Sequence, residues 1–212
     1  MTDDQEIDVD ALRSELDHIK DAMGIRERSP GAIRVWLVFG ALVPVAAACS
    51  QYVFLERLPQ FYHGVVWIGL LGLGGYLTSR IVFTASSEWS SEGKPNLVVQ
   101  FGAVYAAAFA LQVLLDPFVR PLTYREESMY VLGMILVLLG VAYVVMGSSL
   151  RAFYIRRRDR IPFYVGGLWM AGLGMAVPYS ETLMRWGYAV FGGAYFVYAL
   201  GTYAVLSLGE RE

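Results

Sequence analysis

Residues 128–149 read SMYVLGMILVLLGVAYVVMGSS, a run without a charged side chain. About 20 mostly apolar residues are enough for a helix that crosses the hydrocarbon core of a membrane. Five other stretches have the same character, so the predicted spans are residues 32–54, 63–83, 96–115, 128–149, 161–180 and 184–208. The chain is therefore expected to be an all-α integral membrane protein with six transmembrane helices.

The composition of the 212-residue chain agrees with this prediction. Apolar residues make up 56% and charged residues 17%, whereas about 25% of an ordinary soluble domain is charged. The single cysteine, Cys49, excludes an intrachain disulfide framework and a cysteine-based metal site. His18 and His63 are the two histidines, too few for a bis-His haem or a His-rich metal centre. No cofactor and no metal site is expected.

The chain contains two similar halves. Residues 61–67 read FYHGVVW and residues 163–169 read FYVGGLW, so spans 2 and 5 both open on the pattern F-Y-x-G-x-x-W. Spans 3 and 6 share a second match, FGAVY at 101–105 and FGGAY at 191–195. Glycine and aromatic residues are common in membrane helices, so chance is the alternative explanation. We favour a repeat, because both matches fall in the same order on corresponding spans.

A unit of three spans crosses the membrane an odd number of times, so a second copy must have the inverted topology. The sequence thus predicts two inverted three-helix repeats, at residues 32–115 and 128–208, joined by an extracytoplasmic linker at 116–127. Residues 1–31 form an acidic cytoplasmic tail with a short heptad helix, and residues 209–212 form the cytoplasmic C-terminus.

Basic residues next to the spans predict the orientation, because they favour the cytoplasmic side. Most of them lie on the side of the N-terminus, and the opposite side has only Arg57, Arg120, Arg125 and Arg185. Both termini are therefore expected in the cytoplasm of a cell-membrane protein. The largest basic group is Arg151, Arg156, Arg157, Arg158 and Arg160. It is either a topology signal alone or also a contact for anionic lipid headgroups.

The predicted spans are almost free of ionisable groups in their interiors. Arg80, Asp116 and Arg185 lie at span ends, where they reach water. Proton relays, voltage sensors and intramembrane hydrolases need titratable or nucleophilic groups at depth. This pattern argues against ion-coupled transport and against most intramembrane enzymes, so no catalytic residue is predicted. An enzyme that acts on lipids at the cytoplasmic face has no supporting motif.

Aromatic side chains form a seam on span 6. Tyr188, Phe191, Tyr195 and Tyr198 are spaced by three, four and three residues, which places them on one helix face. The predicted ligand or pore residues are Trp67, Gln100, Tyr105, Gln112, Trp169, Tyr188, Tyr195 and Tyr198. The alternative is that this seam packs the bundle, with each tyrosine hydroxyl satisfied by a backbone carbonyl.

Small residues form stripes on two spans. Span 3 has Gly102, Ala106 and Ala110, and span 6 has Ala189 and Gly193, each four residues from the next. Small residues let helix backbones approach closely in lipid. We therefore expect these stripes to be internal packing faces.

The N-terminal segment contains apolar residues at heptad spacing, which are Val9, Leu12, Leu16, Ile19 and Met23. Spacings of three and four alternate as on the seam of a coiled coil. A helix of about 15 residues is marginal in water, so this seam is expected to bind another surface. Its predicted partner is a second copy, the protein's own bundle or a cytoplasmic protein. No nucleic-acid partner is expected.

These features favour a non-enzymatic multi-pass membrane protein, a binding or assembly and signalling module with an apolar or lipid ligand and with membrane lipids as partners. The alternative is a small facilitator or channel for a neutral solute, built on the inverted repeat, with its site at the repeat interface. The layout resembles that of many small bacterial and archaeal membrane proteins, and this resemblance implies no particular function.

Overall fold

The computed structural model describes residues 15, 30–83, 97–115, 121–153 and 157–208. No strand occurs in these residues, and they form six long helices. The helices are α1 (Pro30–Leu55), α2 (Phe61–Phe83), α3 (Leu97–Leu115), α4 (Tyr124–Ser149), α5 (Arg157–Ala176) and α6 (Glu181–Leu208). Short 3-10 turns follow α4 at Leu150–Phe153 and α5 at Val177–Tyr179. The apolar residues of the predicted heptad helix lie outside the described residues.

Four segments are long and apolar enough to cross a membrane. They are Ile33–Leu55, Tyr124–Ala152, Arg157–Tyr179 and Glu181–Leu208, which correspond to α1, α4, α5 and α6. The architecture of an all-α membrane protein follows from these helices. Each of the other two predicted spans is also helical, as α2 and α3.

Helix α4 begins at Tyr124, inside the stretch predicted as linker, because Thr123 forms a capping box with Glu126. The backbone N–H of Glu126 donates to Thr123 Oγ1 over 3.4 Å, and the Thr123 N–H donates to Glu126 Oε2 over 2.9 Å. This reciprocal pair satisfies two amide groups that the first helical turn leaves free. The helix therefore extends beyond the apolar run by one polar turn.

Helices α1 and α6 pack closely against each other in opposite directions. A Cβ added at Gly40 would lie 2.9 Å from Ala199 Cβ, and one added at Gly192 would lie 2.7 Å from Ala47 Cβ. The two facing pairs are therefore seven residues apart along each helix. This spacing is the repeat of an antiparallel coiled-coil seam. The small side chains allow the two backbones to approach.

Helices α4 and α5 form a second antiparallel pair with an even closer seam. A Cβ added at Gly140 would lie 2.5 Å from the Gly167 carbonyl oxygen, and one at Gly174 would lie 2.6 Å from that of Gly133. These glycines are again seven residues apart on each helix. Such close approach favours van der Waals and Cα–H···O contacts between the backbones.

Helices α2 and α3 lie outside these two pairs. Within the described part of the chain, α2 packs extensively only on α1, and α3 packs extensively only on α4. Gly74 of α2 faces the side chains of Phe39 and Leu42. Ser149 of α4 donates a hydrogen bond of 2.8 Å to Gln100 Oε1 of α3. The result is a four-helix core with one peripheral helix attached to each pair.

The prediction that the small-residue stripes are internal packing faces is wrong for the single chain. Gly102, Ala106 and Ala110 of α3 are exposed, and so are Ala189 and Gly193 of α6. A Cβ added at Gly102 or Gly193 would meet nothing within 4 Å. The seams instead use the glycines and alanines that face a matching small residue on the neighbouring helix.

Candidate functional site

Helix α6 is kinked near its start, and a side chain of α1 fills the break. Trp186 has non-helical backbone angles, φ −120° and ψ 16°. In a regular helix the N–H of Ala189 donates to the carbonyl of Arg185. Here the side-chain amide of Gln51 bonds to both of these backbone groups. Its Nε2 donates to Arg185 O over 2.9 Å, and its Oε1 accepts from Ala189 N over 3.2 Å. The buried amide of Gln51 therefore holds the kink in place.

The C-terminal end of α1 closes with an uncommon residue. Leu58 N–H donates to Val53 O over 3.0 Å and Arg57 N–H donates to Phe54 O over 3.3 Å, the two bonds of a Schellman motif. In this motif Arg57 occupies the C′ position, the first residue after the helix cap, and it has φ 51°. Glycine is favoured there, because a side chain in the left-handed region costs about 1–2 kcal/mol. Tyr124 Oη donates to Leu58 O over 2.9 Å and secures this turn to α4.

A cleft of about 530 Å³ opens between these irregular segments. It lies where the C-terminal end of α1 meets the N-terminal parts of α4 and α6. Its lining residues are Phe54, Leu55, Arg57, Thr123, Tyr124, Arg125 and Arg185. We call it the arginine cleft, because every charged residue among its described lining residues is an arginine.

Neighbouring groups orient two of these three guanidinium groups. Arg125 donates from Nε to Met184 O over 3.1 Å and from Nη2 to Glu181 O over 3.3 Å. The guanidinium carbon of Arg185 lies 5.6 Å from the centre of the Trp186 ring, a cation–π distance. The kink at Trp186 and the start of α6 thus set the shape of the cleft.

The predicted aromatic residues meet in the bundle core. Trp67 of α2 and Trp169 of α5 pack against the same ring, Phe191, with centroid distances of 6.2 and 6.1 Å. The two tryptophans occupy matching positions in the F-Y-x-G-x-x-W segments. Phe191 is 2% exposed, so the ring between them fills the space.

The hydroxyl groups of the predicted tyrosines connect helices. Tyr198 donates to the Pro162 carbonyl over 2.6 Å, and Tyr188 donates to the Ser128 carbonyl over 3.4 Å. The hydroxyl of Tyr195 lies 2.9 Å from that of Tyr143. Each bond joins α6 to α4 or α5, so these groups contribute to helix packing.

A few buried polar atoms in the described residues have no hydrogen-bond partner. Both ring nitrogens of His63 are among them, and its ring stacks on Tyr188 at 5.0 Å. Trp169 Nε1 and Ser50 Oγ are two others. His63 thus lies against the aromatic core, although the sequence indicated no role for it.

The remaining predicted sites are only partly described. Gln100 lies at the contact between α3 and α4. The side chains of Tyr105 and Gln112, the heptad residues and Arg156 lie outside the described residues. Arg151 and Arg157 are exposed, and Arg158 donates to Val205 O over 2.9 Å. The structure does not bring these arginines to the arginine cleft.

The arginine cleft is the feature that sequence reasoning missed. In the sequence, Arg57, Arg125 and Arg185 indicate only that few basic residues lie on that side of the membrane. Their common signal is that each adjoins the end of a predicted span on that side. In the part of the chain that the structure describes, no group of three His, Cys, Asp or Glu residues is placed to hold a metal ion.

Comparison of the chain with protein-family models, with curated proteins and with solved structures gave no match.

Proposed function

We propose that α2 and α3 also cross the membrane, which gives six spans. At 1.5 Å per residue, their 23 and 19 residues extend about 35 and 28 Å, close to the thickness of the hydrocarbon core, about 30 Å. Helix α3 contains no charged residue, and the charged residue of α2 is Arg80 in its last turn. An even number of spans puts both termini on one side, which the basic residues assign to the cytoplasm.

The packing pattern supports two inverted repeats. Helix α1 packs on α2 and α6, whereas α4 packs on α5 and α3. Exchanging α1 with α4, α2 with α5 and α3 with α6 converts these two sets of contacts into each other, although in the described residues the contacts of α6 with α4 and α5 have no counterpart of similar extent at α3. The two tryptophans in matched positions, Trp67 and Trp169, also meet at one ring. A pseudo-two-fold axis in the membrane plane accounts for both observations.

Within this architecture the protein acts as a non-enzymatic binding or assembly module for a lipid, another apolar ligand or a protein partner. The observation that carries this proposal is the contrast between a filled core and an uncovered α2. Tyr188, Tyr195 and Tyr198 bond to other helices, whereas Ile68 and Val65 of α2 are 77% and 60% exposed. Lateral apolar surfaces of this kind bind acyl chains or other membrane helices.

Native mass spectrometry of the full-length protein, purified in mild detergent, tests this proposal. We expect retained lipid or a bound copy or partner. The same measurement on a version that lacks residues 1–28 distinguishes binding by the heptad helix from binding by the bundle. Loss of a partner upon deletion assigns it to the heptad helix, whereas a lipid retained by both versions assigns it to the bundle. A bare monomer from both versions contradicts the proposal.

The two-fold packing pattern also favours a second candidate, a small facilitator for a neutral solute at the repeat interface. Against it stands the filled centre, where Phe191, Met170 and Ala199 are at most 2% exposed. Glycerol entry into proteoliposomes, followed by stopped-flow light scattering, decides between the two candidates. We expect the same rate as in protein-free liposomes, and a faster rate would favour the facilitator.

A further inference from the structure

We propose that the arginine cleft binds a phosphoryl anion, carried by a lipid headgroup or free in solution. The inference deepens the proposed binding function, on which it rests, by naming the chemistry of the ligand and its site. The orientation predicted from the basic residues places this cleft on the extracytoplasmic side. A lipid at this site therefore belongs to the outer leaflet.

The charges of the cleft support this ligand. Arg57, Arg125 and Arg185 line it, and none of its described lining residues is a carboxylate. Glu126 and Glu181 are nearby in the chain, but neither of them lines the cleft. Glu126 bonds to Thr123 in the capping box, and Glu181 offers its backbone carbonyl to Arg125. Three positive groups around one cleft create a positive potential, which attracts anions.

The chemistry of the side chains selects a phosphoryl group in particular. A guanidinium group is planar and presents a fork of N–H donors that matches phosphate oxygens. Arg125 uses its Nε and Nη2 atoms on two carbonyls, and the rest of its donors remain for a ligand. Because these contacts and the Trp186 ring fix two of the guanidinium groups, little side-chain entropy is lost on binding.

The backbone at Arg57 gives an independent reason. Its φ of 51° is a conformation that glycine adopts more easily, so the arginine at this position destabilises the turn. Strained residues of this kind cluster at functional sites. A side chain that is needed in the cleft explains why the position is not filled by glycine.

The size and walls of the cleft suit an amphiphilic phosphate. Its volume of about 530 Å³ falls in the usual range for small-molecule sites, about 300–1,000 Å³. Phe54 and Leu55 supply an apolar wall beside the arginines. A headgroup phosphate would lie among the guanidinium groups, with the first carbons of the lipid along this wall.

Titration of the delipidated full-length protein, followed by native mass spectrometry, tests the inference. The probes are phosphatidylglycerol and diacylglycerol with identical acyl chains, so that they differ in the phosphoglycerol group. We expect phosphatidylglycerol to bind at least about tenfold more tightly, as charge-assisted bonds are strong. Equal binding of the two lipids would overturn the inference.

Two double variants with the same loss of charge locate the site. Arg57→Gln with Arg185→Gln removes two arginines of the cleft, and Arg34→Gln with Arg80→Gln removes two exposed arginines elsewhere. Only the first pair should weaken phosphatidylglycerol binding, by about tenfold or more. Unchanged binding in the first pair, or an equal loss in both, contradicts the assignment to this cleft.

Inorganic phosphate distinguishes the two sources of the anion. Displacement of phosphatidylglycerol by millimolar phosphate, with direct phosphate binding by calorimetry, assigns the site to the free anion as well. Lipid binding without displacement assigns it to the lipid headgroup. If the protein binds neither phosphatidylglycerol nor inorganic phosphate, the inference is overturned.

Misfolding would not explain a loss of binding by Arg57→Gly. This substitution removes the side chain that contacts the ligand and also relieves the strain of the left-handed backbone. This variant should be more stable yet bind phosphatidylglycerol less tightly. If the wild type retains lipid but Arg57→Gly binds it unchanged, the inference about the cleft fails and the proposed function stands. If the wild type binds no lipid and no partner, the proposed function fails as well.

Discussion

The α4–α5 pair and the peripheral helix α2 are both rich in glycine, yet they use it differently. Gly140 and Gly167 lie backbone against backbone, whereas Gly64, Gly69 and Gly72 have open space above them. The difference is the neighbouring helix, since α5 presents Gly174 and Gly167 opposite Gly133 and Gly140 of α4. Glycine content therefore predicts close packing only where two matching faces meet.

The largest expected effect comes from filling the closer seam. Gly140→Val places a branched side chain where even a Cβ would lie 2.5 Å from the Gly167 carbonyl oxygen. Overpacking of this kind costs about 1–3 kcal/mol, and we expect the upper end because the obstacle is backbone. The free energy of unfolding, measured by denaturant titration in detergent micelles, checks this value.

Gly72→Val is the matched control, because it makes the same change where a Cβ would meet nothing within 4 Å. Surface changes of this kind usually stay within about 0.5 kcal/mol. Equal destabilisation by both variants would show that helix propensity, and not the seam, sets the cost.

A smaller effect is expected from the two glutamines that join helices. Gln51→Leu leaves Arg185 O and Ala189 N at the kink without their partner, and unsatisfied buried groups cost about 1–3 kcal/mol. Gln100→Leu removes the bond between peripheral α3 and Ser149. A typical single hydrogen bond contributes about 0.5–1.5 kcal/mol.

The same unfolding measurement compares the two glutamine variants. The loss should be greater for Gln51, because its amide replaces a backbone bond inside the core pair. A greater loss for Gln100→Leu would reverse our ranking of core and peripheral contacts.

The smallest expected effect is a gain at the end of α1. Arg57→Gly should stabilise the protein by about 1 kcal/mol over Arg57→Ala, because both variants lose the side chain and only glycine relieves the left-handed backbone. Thermal unfolding of the two variants in detergent gives the difference. Identical transition temperatures would mean that the turn carries no strain.

Much of the helical layout follows from the sequence, and the seams show where such prediction stops. Each predicted span is a helix, and α4 extends further only because of the Thr123 capping box. The seven-residue spacing of Gly133, Gly140 and Gly147 is visible in the sequence. This spacing does not reveal which helix packs against these glycines. The small-residue stripe on α3 is equally suited to packing, yet it is exposed.

The candidate sites follow the same division. The tyrosine seam of α6 was predictable, because residues three and four apart share a helix face. That the hydroxyls of Tyr188 and Tyr198 would bond to backbone carbonyls was one of two alternatives open from the sequence. The role of Gln51 at the kink depends on an α6 residue that is 138 positions away in the chain.

The sequence by itself determined that the chain is helical and suited to a membrane, because apolar length and the absence of charge are properties of each segment alone. Only the tertiary structure decided which glycines are seams, which tyrosines are bonded and which arginines meet. Arg57, Arg125 and Arg185 come together because a turn, a helix start and a kink from three separate segments are packed at one end of the bundle. Such a meeting depends on contacts between helices, and no single stretch of sequence encodes it.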